Sequence, residues 1–361
     1  MDKFAAWSTI SLLCFMLATA LVSCDGGHPD MTDGEVLLTL HLSLPGSEKE
    51  AGTRAITSVQ EDAIDISQLK VLVFKESGSA EIFAYEAPQV QLQAGKYIVT
   101  LKQSQAGEKY RLVIIANTSG KMPFIPENTP KSDALKMITF DASGVWKTNS
   151  STDYKPIPMW GESATTQAIT PTTSFGNITL LRALARIDVG CVLSGETAAG
   201  VSGFTMKSVS VYRTRNKGYT APVNGGTITG NVVTSVSIPT DAGKNSSLTY
   251  TCSDGKSLIR TIYVAETEQG SGKDNNVCLV IGGTYAGSLN YYRVDLTAGG
   301  SYIPIRRNCK YMVNIKTVSN AGYTTEEEAL TGDKTLVIAG SVSAEAWGDE
   351  TDAGSGIVQI P

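Results

Sequence analysis

The chain of 361 residues holds only two histidines, His28 and His41, and both precede Arg54. Histidine is the usual general base, the middle member of nucleophile triads and a frequent metal ligand. If the chain is cut after Arg54, the remainder has no histidine for any of these roles. The carboxylates offer little more. Glu326-Glu327-Glu328 follows Thr325, and a Thr-x-x-Glu pattern ahead of Ala329-Leu330 is a capping box at a helix start rather than an acid–base pair. Asp30, Asp33 and Glu35 lack the order of a calcium loop. Gly282-Gly283 follows a strand-like run with no helix opening after it, so it is not a phosphate cradle. Arg306-Arg307 reads as a solvated strand edge. Cys191, Cys252, Cys278 and Cys309 have neither CxxC nor zinc-finger spacing, and Cys278, inside Val277–Ile281, reads as a small buried hydrophobe. Disulfide pairing among the four stays open. No catalytic constellation, metal site or cofactor site emerges.

The chemistry that the spacing does support is modification of the chain itself. An apolar run from about Ile10 to Val22 is too short for a comfortable membrane span and suits the core of an export signal. It closes on Leu21-Val22-Ser23-Cys24, a small residue followed at once by a cysteine, as in a bacterial lipobox. The expectation is acylation of the Cys24 thiol, which attaches the mature chain to a membrane; an uncleaved anchor helix is the alternative. The leader carries only Lys3 beside Asp2. A second reactive position is Arg54, within the polar stretch Ser47–Ala55, where an exposed linker would admit a protease.

The elements around these positions read as β throughout. Val36, Leu38, Leu40, Leu42 and Leu44 alternate with Thr39, His41 and Ser43, the cleanest strand signal in the chain. Further runs fall at Leu69–Phe74, Ile82–Tyr85, Val90–Leu92, Tyr97–Leu101 and Leu112–Ala116, with a short helix over Ser132–Met137. The Thr-rich stretch Ser163–Thr173 reads as a connector. Beyond it, Ile178–Val189 is expected to turn Leu181, Ala183, Ala185, Ile187 and Val189 inward and Arg182, Arg186 and Asp188 to water. More strands follow at Val209–Arg213, Ile262–Ala265, Val277–Ile281, Tyr291–Leu296, Tyr311–Val318 and Leu336–Val342. Even spacing and few helical periods predict an all-β fold of two sandwiches. A net charge of −5 argues against a nucleic-acid partner.

The chain resembles fimbrillins, the FimA-like subunits of type V pili in anaerobic Gram-negative bacteria. The carrying segments are Leu21–Cys24, Gly52-Thr53-Arg54-Ala55, Leu69–Phe74, Pro158-Met159-Trp160-Gly161, Leu181–Ile187, Arg307–Ile315, Gly322-Tyr323-Thr324 and Glu345-Ala346-Trp347. The resemblance implies two transthyretin-like β-sandwich domains in tandem, over 55–172 and 173–361. They follow a signal peptide over 1–23 and a lipidated tether with a removable strand over 24–54.

It further implies an outer-membrane lipoprotein anchored through Cys24 and cut between Arg54 and Ala55 by an Arg-specific protease. The strand of Val36, Leu38, Leu40, Leu42 and Leu44 then leaves, and a neighbouring subunit's C-terminal segment fills the groove by β-augmentation. In this chain the donor would be Ile357, Val358 and Ile360, reached through the polar stretch Gly348–Gly356, alone or together with Leu336–Trp347, so the partners are other subunits in a head-to-tail self-polymer at the cell surface. Alternatives are an uncleaved anchor, an accessory or tip subunit, and a carbohydrate-binding surface lipoprotein. For the last, Trp146, Trp160 and Trp347 are too dispersed to make an obvious sugar platform.

Overall fold

The computed structural model describes residues 34–45, 61–118, 122–148, 152–223, 228–332 and 338–347. Its principal elements are β1 (Glu35–Ser43), β2 (Lys70–Ser77), β3 (Ala80–Glu86), β4 (Gln91–Gln93), β5 (Lys96–Lys102), β6 (Tyr110–Ala116), α1 (Lys131–Lys136), β7 (Thr139–Asp141), β8 (Met159–Glu162), β9 (Asn177–Thr179), β10 (Leu181–Arg182) and β11 (Leu184–Cys191). They continue with β12 (Phe204–Tyr212), β13 (Lys217–Tyr219), β14 (Ser247–Thr251), β15 (Ser257–Ala265), β16 (Cys278–Tyr285), β17 (Ser288–Asp295), β18 (Cys309–Val318), α2 (Glu326–Thr331) and β19 (Ile338–Ala346). The fold is all-β. The expected capping box is present at α2, where Thr325 Oγ1 accepts from the Glu328 amide and the Glu328 carboxylate returns to the Thr325 amide.

Two sheets enclose the first core. One has the order β4-β5-β1-β9 and the other β10-β8-β6-β2-β3. The alternation of β1 does what it predicts: Val36, Leu38, Leu40, Leu42 and Leu44 are all buried against Val71, Val73, Val99, Leu101, Leu112, Ile114 and Ile178, while Thr39 and His41 face out. β2 and β6 are apolar on consecutive positions because both of their faces are covered. Leu72, Phe74, Val113 and Ile115 point away from β1 into a second cluster roofed by Ile125, Leu135, Ile138, Ala221 and Val233. Gly161 on β8 lets the two sheets approach, since a Cβ there would stand 2.5 Å from the Thr179 carbonyl oxygen.

The second core lies between the sheets β15-β11-β18-β19 and β14-β12-β16-β17. β11 and β18 run parallel, and Cys278, Cys309 and Cys191 are buried within or beside this core with no disulfide among the described residues. The Thr-rich stretch Ser163–Thr173 is not where the chain passes between cores. β9 still pairs with β1, β10 still pairs with β8, and Leu180 still lies in the first core. The passage falls at Ala183, between β10 and β11, so the two cores are joined through a nearly continuous strand rather than a loose linker. The described residues accordingly fall in one compact unit.

Truncating β1 should register as loss of packing. Leu40→Ala is expected to lower the unfolding free energy of the uncut protein by about 2–5 kcal/mol. His41→Ala, one residue on and exposed, should stay within about 0.5 kcal/mol. Urea denaturation of the two variants checks the contrast.

Candidate functional site

β1 is neither the simple edge strand that its position in the sequence suggests nor a fully enclosed one. Its first six positions pair antiparallel with β5, from Glu35↔Lys102 to Leu40↔Tyr97. Its last three pair parallel with β9, from His41↔Asn177 to Ser43↔Thr179, on the other side. The strand is therefore the bridge that ties β5 to β9. Lifting it out would leave both of those ladders unpaired and uncover an apolar channel along the first core. Burying five such side chains is worth roughly 7–15 kcal/mol, at about 1.5–3 kcal/mol each.

Cys24, Arg54, Ala55, Ile357, Val358 and Ile360 lie outside the described residues. The described residues nearest in sequence to Arg54 and to the C-terminal segment do converge. Pro45 precedes the segment that contains Arg54, Glu61 and Asp62 follow it, and Trp347 precedes the C-terminal segment. All four meet at one junction, built on Arg182 and Arg186.

Arg182 Nη2 donates to the Pro45 carbonyl at 3.5 Å and to the Asp62 carboxylate, and Nη1 donates to Asn308 Oδ1 at 3.2 Å. Its guanidinium carbon sits 4.6 Å from the centre of the Trp347 ring. Arg186 Nη1 donates to both Glu61 oxygens at 3.1 and 3.2 Å, and Nε and Nη2 donate to Asp188 Oδ2 at 3.1 and 2.8 Å. Tyr263 closes the box. Its hydroxyl donates to Glu61 Oε1 at 2.7 Å, and its ring stacks on Trp347 at 5.9 Å and 19°. The Trp347 amide donates to the Asn308 carbonyl at 2.8 Å. Below the charges lies an apolar bed of Phe140, Trp146, Ile157, Ala183, Leu184 and Ala265.

Arg182, Arg186 and Asp188 were expected to face water; the structure buries all three, with Arg182 at 2% and Arg186 at 1% exposure. Ala185, Ile187 and Val189 face the second core as alternation predicts, but Leu181 packs in the cluster with Trp160, Ala183 shares the junction bed with Leu184, and the opposite face is covered by residues 61–62 and by Trp347 instead of solvent. Arg307 departs from expectation in the same way. It is 1% exposed, donates to the Thr220 and Tyr219 carbonyls at 2.8 and 3.0 Å, and pairs with Glu266 at 2.5 Å. A signal was present for the first pair: the supposed water-facing positions of the strand include Leu184 and Gly190, an odd choice for a wet surface.

Burial and charge act together on the ionisation of the junction. Burial alone disfavours the charged Arg186 guanidinium, but the carboxylates of Asp188 and Glu61 more than offset it, and its net shift is upward. Burial, reinforced by the neighbouring Glu61, also raises the Tyr263 hydroxyl far above its ordinary value, so it remains a donor. Burial likewise pushes the Cys191 thiol up to about 11 and the Cys309 thiol up to about 12. Neither is a ready nucleophile. Among the described residues no group of histidine, cysteine and carboxylate side chains could hold a metal ion, and no helix is long and apolar enough to cross a membrane.

The family model described as fimbrillin-A associated anchor proteins Mfa1 and Mfa2 matches residues 33–348. The chain belongs to this family. The matched span begins just before β1 and ends just after Trp347, so the bridging strand and the tryptophan seat are both family territory. No curated protein matches the sequence. Among solved structures, a protein of Parabacteroides distasonis described as a cell adhesion protein aligns with a TM-score of 0.52 at 14% identity, covering 87% of this chain and 99% of its own. Another so described, from Bacteroides eggerthii, aligns at 0.50 and 16%, covering 89% and 98%. The tip fimbrial protein Mfa3 of Porphyromonas gingivalis aligns at 0.47 and 14%, covering 87% and 99%. At such identities the likeness is one of fold. As a member of the fimbrillin-A associated anchor family, the chain is a fimbrial protein of the cell surface.

Two outcomes test the junction. Glu61→Ala removes a carboxylate from two arginines and a tyrosine, and should cost about 3–5 kcal/mol in urea unfolding, since it strands buried charge. Tyr263 contributes stability that is complete below the ordinary tyrosine pKa of about 10 and is lost as pH rises above it. Tyr263→Phe should therefore flatten the alkaline fall in stability. It should not abolish it, because burial also raises Tyr250 and Tyr311.

Proposed function

We propose that this fimbrial protein is made as a lipoprotein and unmasked by proteolysis. Cys24 takes the lipid and holds the precursor at the outer membrane. An Arg-specific protease cuts between Arg54 and Ala55. β1 then departs, and a strand from another subunit takes its place between β5 and β9. The observation that carries this reading is the placement of β1. It fills the core with Val36, Leu38, Leu40, Leu42 and Leu44, yet the segment joining it to the rest of the chain contains the arginine. A strand so placed can be exchanged for another of the same pattern, and an emptied channel with two open ladders cannot stay empty cheaply. The donor would be the segment of Ile357, Val358 and Ile360 on the next copy. Such a contact is heterologous and propagates into an open filament.

A second reading is the uncut anchor at the base of a fimbria. The anchor family to which the chain belongs favours it, and so does the hold of Arg182 on both flanks of the segment, Pro45 and Asp62.

The N-terminal residue of the surface-extracted protein separates the two. Ala55 is the expected result; a native chain that begins at Cys24 and resists an Arg-specific protease establishes the anchor instead. Cys24→Ala should shift the precursor out of the membrane fraction, and unchanged fractionation would remove lipid anchoring. Deleting Gly348–Pro361 should leave a chain that folds and is cut but forms no polymer ladder on detergent gels. Undiminished ladders would place the donor elsewhere.

A further inference from the structure

We infer that the arginine junction is a latch: while β1 is in place, Arg182 keeps Trp347 seated, and the departure of β1 loosens that seat and frees the start of the C-terminal segment. The inference rests on the reading that β1 is removed.

β19 is the outermost strand of its sheet and pairs only with β18 among the described residues. From Ser341 to Ala346 its side chains are small apart from Val342 and Glu345, and Val342 and Ala344 are only partly buried. Backbone pairing with β18 along nine positions and the Lys310–Glu345 ion pair at 2.5 Å hold the strand, with little apolar packing to add to them. What fastens its end is Trp347, 3% exposed, held by its amide on Asn308, by the Tyr263 ring and by the two guanidinium groups. Asn308 and Arg182 are themselves coupled, since Asn308 Oδ1 accepts from both the Arg182 amide and its Nη1.

Among the described residues Arg182 reaches both the end of β1, through the Pro45 carbonyl, and the Trp347 ring. Pro45 is buried and sets its carbonyl on Nη2. When residues 34–45 leave, that acceptor and that cover leave together, and water reaches the guanidinium. A guanidinium holds an aromatic face several-fold less strongly when hydrated than when desolvated. Glu61 and Asp62 stay with the mature chain, so Arg186 and Tyr263 keep their partners, and the change is confined to Arg182 and the ring it covers. The consequence is order: a subunit whose groove is still filled also withholds its own C-terminal segment, and both are released by one event.

The test uses the full chain with a site-specific protease sequence placed within residues 46–60, so that cutting does not depend on Arg54. Amide hydrogen exchange across Ser341–Trp347 is compared in the uncut, cut, and β1-depleted forms. Exchange is expected to be slow in the first two and at least tenfold faster in the third. Arg182→Met should already exchange fast in the uncut form, with β1 and β5 amides unchanged. Should Arg182→Met fail to fold, Trp347→Leu replaces it, and the difference between uncut and β1-depleted forms should vanish. Equal protection before and after β1 leaves, or wild-type protection in uncut Arg182→Met, overturns the latch. If the cut chain never releases β1, the removal reading fails, and the Arg182→Met comparison still decides the latch.

Discussion

The structure turns on charges that have been taken out of water. Arg182 and Arg186 sit on the strand that leaves the first core and enters the second, and a buried guanidinium is tolerable only with carboxylates and carbonyls close on its donors. The partners come from far along the chain: Pro45, Glu61 and Asp62 from the N-terminal side, Asp188 from the strand itself, and Asn308 beside the turn into β18. Satisfying two arginines thus fixes where Pro45, residues 61–62 and the end of the last described strand must lie. Arg307 repeats the device nearby with Glu266 and the carbonyls of Tyr219 and Thr220. A hydrophobic contact would glue these segments as well, but it would not dictate their direction. Donor–acceptor geometry does.

Around that junction the packing has two different strengths. β2, β6 and β11 are buried on both faces and hold the cores. By contrast, the nine positions of β1 are shared between β5 and β9, and β19 pairs on one side alone among the described residues, with β18. β1 compensates with five large aliphatic side chains; from Ser341 to Ala346 the side chains of β19 are small apart from Val342 and Glu345, and Trp347 ends it.

The likeness to cell adhesion proteins at 14–16% identity has a simple physical basis. A sandwich core asks for alternation and approximate volume at each position, not for a particular residue, so sequences drift while the layers stay. Membership of the fimbrial anchor family does not depend on that coarse likeness, since the family model follows nearly the whole described span.

Side chains alternating across a pleated backbone are enough to give Val36–Leu44 its buried face and to turn Ala185, Ile187 and Val189 inward. The capping box at Thr325–Glu328 was equally plain, because its partners are three residues apart. What alternation cannot tell is what covers the second face of a strand. Arg182, Arg186 and Asp188 have the signature of a wet surface, and only the return of residues 61–62 and of Trp347 over them makes that surface an interior. The position of β1 between β5 and β9 was likewise decided by contacts more than fifty residues apart in sequence, and the crossing at Ala183 rather than in the Thr-rich stretch by the pairing of β9 with β1 and of β10 with β8. Local sequence determines which residues form strands and which face is apolar; only the closed tertiary structure decides which polar face is buried, because that depends on partners that no local window contains.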